Sequence, residues 1–379
     1  VGIYQSGTAS VESKGDITVG DNSVGINHAG GTLDATTLQN INIGKNSTGI
    51  STAGATDIRR TITSTSYGTQ TGIKSSGNVT TNSGSINLTN VNKGTGIVSS
   101  GTVGTTSTPI TVSGVGSNFG IDATGNVTAS RGNITVSGSN GGNYGIKSGG
   151  VANVERLTIT ARGGSSTGRN TAISGGTGVV LDHVTAATDS LDGNVVYAVS
   201  GNITGGSYSS ITAEGYRSNA VRANNGSVSL STSTTVTTNI NESTAIKATQ
   251  GVSLDQVSSA TAKGSGSYAI YNNGSGNVSL DRRSSATAEQ NYSLAIYNNG
   301  GATSSVFLQN SSSATAKGSH SHAIYAKTGS VSLSSSSATA EGDYSNAIFA
   351  EAGNITLNSS HATAKGYHSN AIHTMSGST

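Results

Sequence analysis

The chain has 379 residues, of which 54 are Gly and 1 is Pro, with no Cys, no Trp and only 10% charged side chains. Without Cys there can be no disulfide staple and no thiolate metal site; a net charge of +2 without a basic run argues against nucleic acid; and no segment nears the roughly 20 consecutive apolar residues of a membrane span. Abundant Ser, Thr, Asn and Gly would read as disorder, but Val and Ile recur at even intervals, which a disordered tract has no reason to keep.

In chain order, residues 1–150 carry a small-then-branched pair at Gly2-Ile3, Gly25-Ile26, Gly49-Ile50, Gly72-Ile73, Gly96-Ile97, Gly120-Ile121 and Gly145-Ile146. Residues 151–206 are less regular, with pairs read at Ala172-Ile173 and Ala198-Val199. Residues 207–379 continue with Ala220-Val221, Ala245-Ile246, Ala269-Ile270, Ala295-Ile296, Ala323-Ile324, Ala347-Ile348 and Ala371-Ile372. The period is about 24 residues, the signature of a repeat architecture, and the chain reads as one domain.

Each repeat holds two more short alternating segments, seen as Ala314 to Ala316 and Ala338 to Ala340, and as Val331 to Leu333 and Ile355 to Leu357. Strands this short, separated by Gly, Asn and Ser, cannot bury a face alone and must stack on copies of themselves. The prediction is all-β: a right-handed parallel β-helix of about 16 rungs, three short strands to each, with Ile, Val, Leu and Ala inside. At about 4.8 Å per rung it would extend on the order of 75 Å.

Stacking turns sequence columns into lines on the surface. One runs Glu214, Asn239, Lys263, Glu289, Lys317, Glu341, Lys365, a charge ladder that favours the in-register stack. A second, directly after each pair, runs Arg222, Lys247, Tyr271, Tyr297, Tyr325, Phe349, His373, and alternation places it outside. With only 13 Tyr and 3 Phe in the chain, this is a concentration of rings. Stacked rings can simply stabilise a sheet, but a flat aromatic stripe continued by Arg222 and Lys247 also suits sugars or a host protein surface. A further basic group, Lys147, Arg156, Arg162, Arg169, Arg217, Arg222 and Lys247, lies where acidic residues are sparse, and a heparan-type polyanion is the expected ligand.

His320 and His322 share a strand face in principle, but three residues before each Ala the column reads Arg217, Glu242, Gly266, Tyr292, His320, Tyr344, His368. His322 falls in a column rich in Asn. Zinc needs three or four ligands, and these turns supply no carboxylate or third histidine at the same level, so no metal or other cofactor is expected. Asp182, Asp189 and Asp192 beside His183 form the densest acidic group, the one candidate for a cation or catalytic role. Nothing resembles a nucleophile elbow, no turn carries a long insertion, and an enzyme is not expected. The Asn-x-Ser/Thr triplets at Asn78, Asn133 and Asn354 follow from turn chemistry alone.

The unbroken Gly-Ile and Ala-Ile rungs, the Gly-Asn-Ile-Thr turns and the lack of Cys resemble the passenger domain of a Gram-negative autotransporter, of the adhesin and self-associating type. The resemblance covers the whole chain and implies export, then display at the outer membrane or release. The opening VGIYQSG carries no leader, and SNAIHTMSGST falls inside a rung, so a longer chain with a signal peptide and translocator barrel is expected. The expected function is a virulence-associated adhesin for host cells, matrix, glycans or sister rods. The alternatives are a soluble ligand of a host-cell receptor, growth-factor-like (for example pro-angiogenic) or toxin-like, and thirdly a glycan-active enzyme.

Overall fold

The computed structural model describes residues 1–7, 11–31, 33–35, 37–54, 56–163 and 168–376. It is all-β, a parallel β-solenoid of about 15 turns at about 24-residue spacing, with no helix among the described residues. The chain forms two compact units, Val1–Thr177 with Val184–Ser190 and Gly178–His183 with Leu191–Thr379.

In the N-terminal unit the Gly-Ile strands pair in register, Ile26 with Ile50, Ile50 with Ile73, Ile73 with Ile97, Ile97 with Ile121 and Ile121 with Ile146. A second column of isoleucine, Ile62, Ile86, Ile110, Ile134 and Ile159, stacks on another face of the same turns. All these side chains are buried. Alternation breaks at the pair itself, where the small residue and the Ile are both buried and the ladder skips the small residue. A Cβ on Gly96 would come within 2.6 Å of Ile110 Cγ2 and 2.5 Å of the Gly120 carbonyl oxygen, so only Gly fits opposite this Ile column.

In the C-terminal unit the same pairing continues: Val221 with Ile246, then Ile270, Ile296, Ile324, Ile348 and Ile372. Here the facing column is Ile211, Val236, Ala260, Ala286, Ala314 and Ala338, short from Ala260 onward. Shorter side chains on that face leave room for the Cβ of Ala245, Ala269, Ala295 and Ala323, all buried.

One pair differs from the sequence reading. Strand Asn194–Ala198 sets Val196 against Val221, so the pair of that turn is Val195-Val196 and not Ala198-Val199; Val199 is exposed. Period-2 alternation cannot separate them, because Val196 and Ala198 both point inward. The shift also brings Tyr197 into the outward column, directly beside Arg222.

Turn corners are built from residues in the left-handed region. In the C-terminal unit Arg217, Glu242, Gly266, Tyr292, His320, Tyr344 and His368 occupy one such corner with φ of 52, 55, 64, 57, 55, 53 and 50°. The serine after each forms a buried spine: the amides of Ser218, Ser243, Ser267, Ser293, Ser321 and Ser345 each donate to the hydroxyl of the next serine, at 3.0 to 3.2 Å. The N-terminal unit uses asparagine for part of its length, the amides of Gly94, Asn118 and Asn143 donating to Oδ1 of Asn118, Asn143 and Asn170, with serine acceptors at Ser47 and Ser190. Either way a donor that a corner would strand inside the protein is satisfied by the adjoining turn.

Candidate functional site

Strand sequences such as Tyr268–Asn272 and His322–Ala326 bury the pair and the residue after next, and turn the residue between them outward. In the C-terminal unit this outward column is Tyr197, Arg222, Lys247, Tyr271, Tyr297, Tyr325, Phe349 and His373. Every residue of the expected stripe is therefore in one line, with Tyr197 as an addition.

The stripe is not flat. Tyr271 and Tyr297 stack at 5.2 Å with 15° between planes, Tyr297 and Tyr325 tilt by 44° at 5.0 Å, and Phe349 meets Tyr325 and His373 edge-on at 73° and 74°. Where the rings stack, their faces cover one another, so the column offers ring edges and hydroxyls outward, a poor bed for the apolar face of a sugar. Tyr268 adds a further ring, 5.3 Å from Tyr271 and 5.7 Å from Tyr297. The rings are half-buried, and burial pushes the Tyr297 and Tyr268 phenols up. Tyr325 moves further, from burial first and then from the Glu351 carboxylate that accepts its hydroxyl proton.

The cationic part of the column is held against rings. Lys247 Nζ lies 5.1 Å from the Tyr271 centroid, and the Arg222 guanidinium 5.6 Å from that of Tyr197. Burial, and then the like charge of Arg222, lower the Lys247 ammonium below the usual lysine range.

Other basic residues are engaged differently. Arg217 makes a two-pronged contact with Asp192 at 3.0 and 2.8 Å, and Lys147 pairs with Asp122 at 3.3 Å while lying over Phe119. Arg156 stands 3.7 Å from Glu155. Arg162 and Arg169 are exposed in the N-terminal unit, so the basic residues expected to act together are divided between the two units.

His320 and His322 have separate tasks. His320 sits at the left-handed corner with its ring between Tyr292 and Tyr344, 5.0 Å from each, and the stack runs on to His368 at 5.4 Å. Tyr292 and Tyr344 are 63% and 49% exposed, which makes this a second, outer ridge of rings. His322 accepts the Asn346 backbone N–H at Nδ1 over 3.0 Å, as Asn346 Oδ1 accepts that of Asn370. It does an asparagine's work. Burial, with lesser contributions from His373 and His320, lowers its pKa to about 4.

The acidic group around His183 also disperses. Asp182 Oδ1 meets His183 Nδ1 at 2.8 Å, Asp189 accepts the Gly163 amide at 2.9 Å, and Asp192 holds Arg217. Among the described residues no three His, Cys, Asp or Glu side chains group closely enough to hold a metal ion. The charge ladder forms ion pairs at Glu289–Lys317, 3.6 Å, and Glu341–Lys365, 3.1 Å.

No model of a protein family, no curated protein and no solved structure matches this chain.

Proposed function

We propose that this chain is a binding protein and not an enzyme: an autotransporter passenger that attaches to host cells through the outward column of its C-terminal unit, at the outer membrane or after release. The observation that carries the reading is that line of eight turns, Tyr197 to His373, in which every outward residue is a ring or a cation. Tyr and Arg are the residues enriched at the centres of interfaces, and half-buried rings on a stacked sheet are pre-ordered, so little side-chain entropy is lost on binding. Covered ring faces and outward hydroxyls favour a protein surface over stacking on sugar rings.

A second reading is a released, soluble ligand of a host-cell receptor. It is favoured by the confinement of the column to one unit. The matching positions of the N-terminal unit read Tyr4, Asn27, Ser51, Lys74, Val98, Asp122, Lys147 and Ser174, a mixture with a single ring. A single discrete patch suits one-to-one engagement, whereas attachment by avidity would gain from repeating it. Purified chain added to cultured host cells separates the two: attachment without receptor phosphorylation supports the adhesin, phosphorylation by the soluble chain supports the ligand, and absence of both removes the proposal.

A further inference from the structure

Arg222 and Lys247 are paired one turn apart in the ladder, so their backbones stand about 4.8 Å from each other along the stack and two like charges leave the sheet side by side. In the N-terminal unit the equivalent column places Lys147 beside Asp122 and neutralises it. Neither Arg222 nor Lys247 has a carboxylate within ion-pairing distance among the described residues. Arg222 donates from Nη2 to Asn224 Oδ1 at 3.0 Å, but its Nε is buried and unpartnered. Lys247 is half-buried with no countercharge. The Arg222 guanidinium lies over Tyr197 and the Lys247 ammonium over Tyr271, so a ring stands at either end of the pair.

Such an arrangement costs stability: an unpaired buried donor and two adjacent, partly desolvated cations oppose folding. What would relieve the two cations is one oxyanion able to accept from both. We propose that Arg222 and Lys247 bind a single sulfate ester group of a sulfated glycan. Three terminal oxygens on a tetrahedral centre let one group accept from the outer nitrogens of the Arg222 guanidinium and from Lys247 together. A sulfate monoester is also weakly hydrated, as guanidinium is, and so loses little on entering a site walled by tyrosine. The neighbouring groups, Asn219 and Asn224, are uncharged hydrogen-bonding amides suited to sugar hydroxyls. The proposal rests on the reading of this column as the binding face, and it narrows the expected polyanion tract to one two-cation site.

The test measures binding of the whole chain to a heparin-derived octasaccharide, the same octasaccharide after desulfation, a hyaluronan octasaccharide and a sulfotyrosine peptide. The site predicts binding of the sulfated octasaccharide alone, lowered at least about tenfold by Arg222→Ala with Lys247→Ala and kept by Lys247→Arg. As a fold control, Lys247→Met should melt no lower than the parent, because it removes an unpaired charge. Unchanged binding by the double variant, equal binding of hyaluronan, or tighter binding of the sulfotyrosine peptide would each overturn the proposal. Attachment to host cells is measured alongside. Attachment that survives Arg222→Ala with Lys247→Ala and fails with Tyr297→Ala plus Tyr325→Ala would remove the sulfate site and leave the binding face standing.

Discussion

Gly96 and Ile110 in the N-terminal unit occupy the places that Ala269 and Ala286 take in the C-terminal unit. The Gly turns fill this space as nothing plus a four-carbon side chain and the turns from Ala245 onward as two methyl groups, while Val195 with Ile211 and Ala220 with Val236 are larger. The change falls on both columns in one turn: Gly145 opposes Ile159, while Ala172 and Ala186 are the first alanines of their columns. Within each regular array the two positions trade volume, because each layer packs on its own contents and its two neighbours, and the turn with Val195 and Ile211, both large and buried, departs from that trade. The units differ outside as well. The glycine-rich unit carries a mixed outer column and a spine of asparagine and serine, and the alanine-rich unit a column of rings and cations with a serine spine.

The largest expected effect comes from forcing one rule into the other unit. Gly96→Ala should lose about 3 kcal/mol or more, because its Cβ meets a backbone oxygen as well as Ile110. Adding Ile110→Ala should restore part of that, a coupling read from denaturation of the two single variants and the double; strict additivity would break the volume comparison.

His322 gives the C-terminal unit a pH dependence. Its folded pKa of about 4 lies below the ordinary 6.5, so between these values the unfolded chain takes up a proton that the folded chain refuses. Stability is therefore full above about pH 6.5, falls as pH drops toward 4, and changes no further from this group below that. The loss is on the order of 3 kcal/mol. His322→Asn should flatten the dependence, as seen by denaturation at pH 7 and pH 4.5.

The two spines should differ in strength. Asn143→Ala strands the Asn118 amide and removes contacts to Gly138, Arg162 and Asn170, for about 2 to 3 kcal/mol, whereas Ser293→Ala removes the hydroxyl that accepts the Ser267 amide and donates to the Gly264 carbonyl, for about 1 kcal/mol. Equal losses would mean that the spines are interchangeable. The smallest effect belongs to the exposed ladder, where Lys365→Ala should lose a few tenths of a kcal/mol, and less in high salt.

Most of the architecture was legible in the sequence because its signals are periodic. Fifteen of the sixteen small-plus-branched pairs lie where the spacing put them, and the outward column follows from alternation. The pair at Val195-Val196 was hidden because two valines break the small-then-branched pattern. The corners were hidden for another reason: left-handed positions usually announce themselves with Gly or Asn, and here Arg217, Tyr292, His320 and Tyr344 hold them, kept in place by the buried serine that follows each. Ring tilts in the stripe depend on what lies beside each ring, such as His322 against Phe349 at 5.5 Å, and no column read alone contains that. Reading His322 as an asparagine substitute needed only the observation that its column is rich in Asn; the hydrogen bond to Asn346 supplies the reason.

The central claim is that the ring column of the C-terminal unit is the binding face. Its most direct test is attachment of the whole chain to cultured host cells with Tyr297→Ala and Tyr325→Ala together, checked by circular dichroism and melting. The account predicts that attachment drops at least about tenfold while the β-sheet spectrum persists. Undiminished attachment by a folded double variant would contradict it and reduce the column to a stabiliser of the sheet.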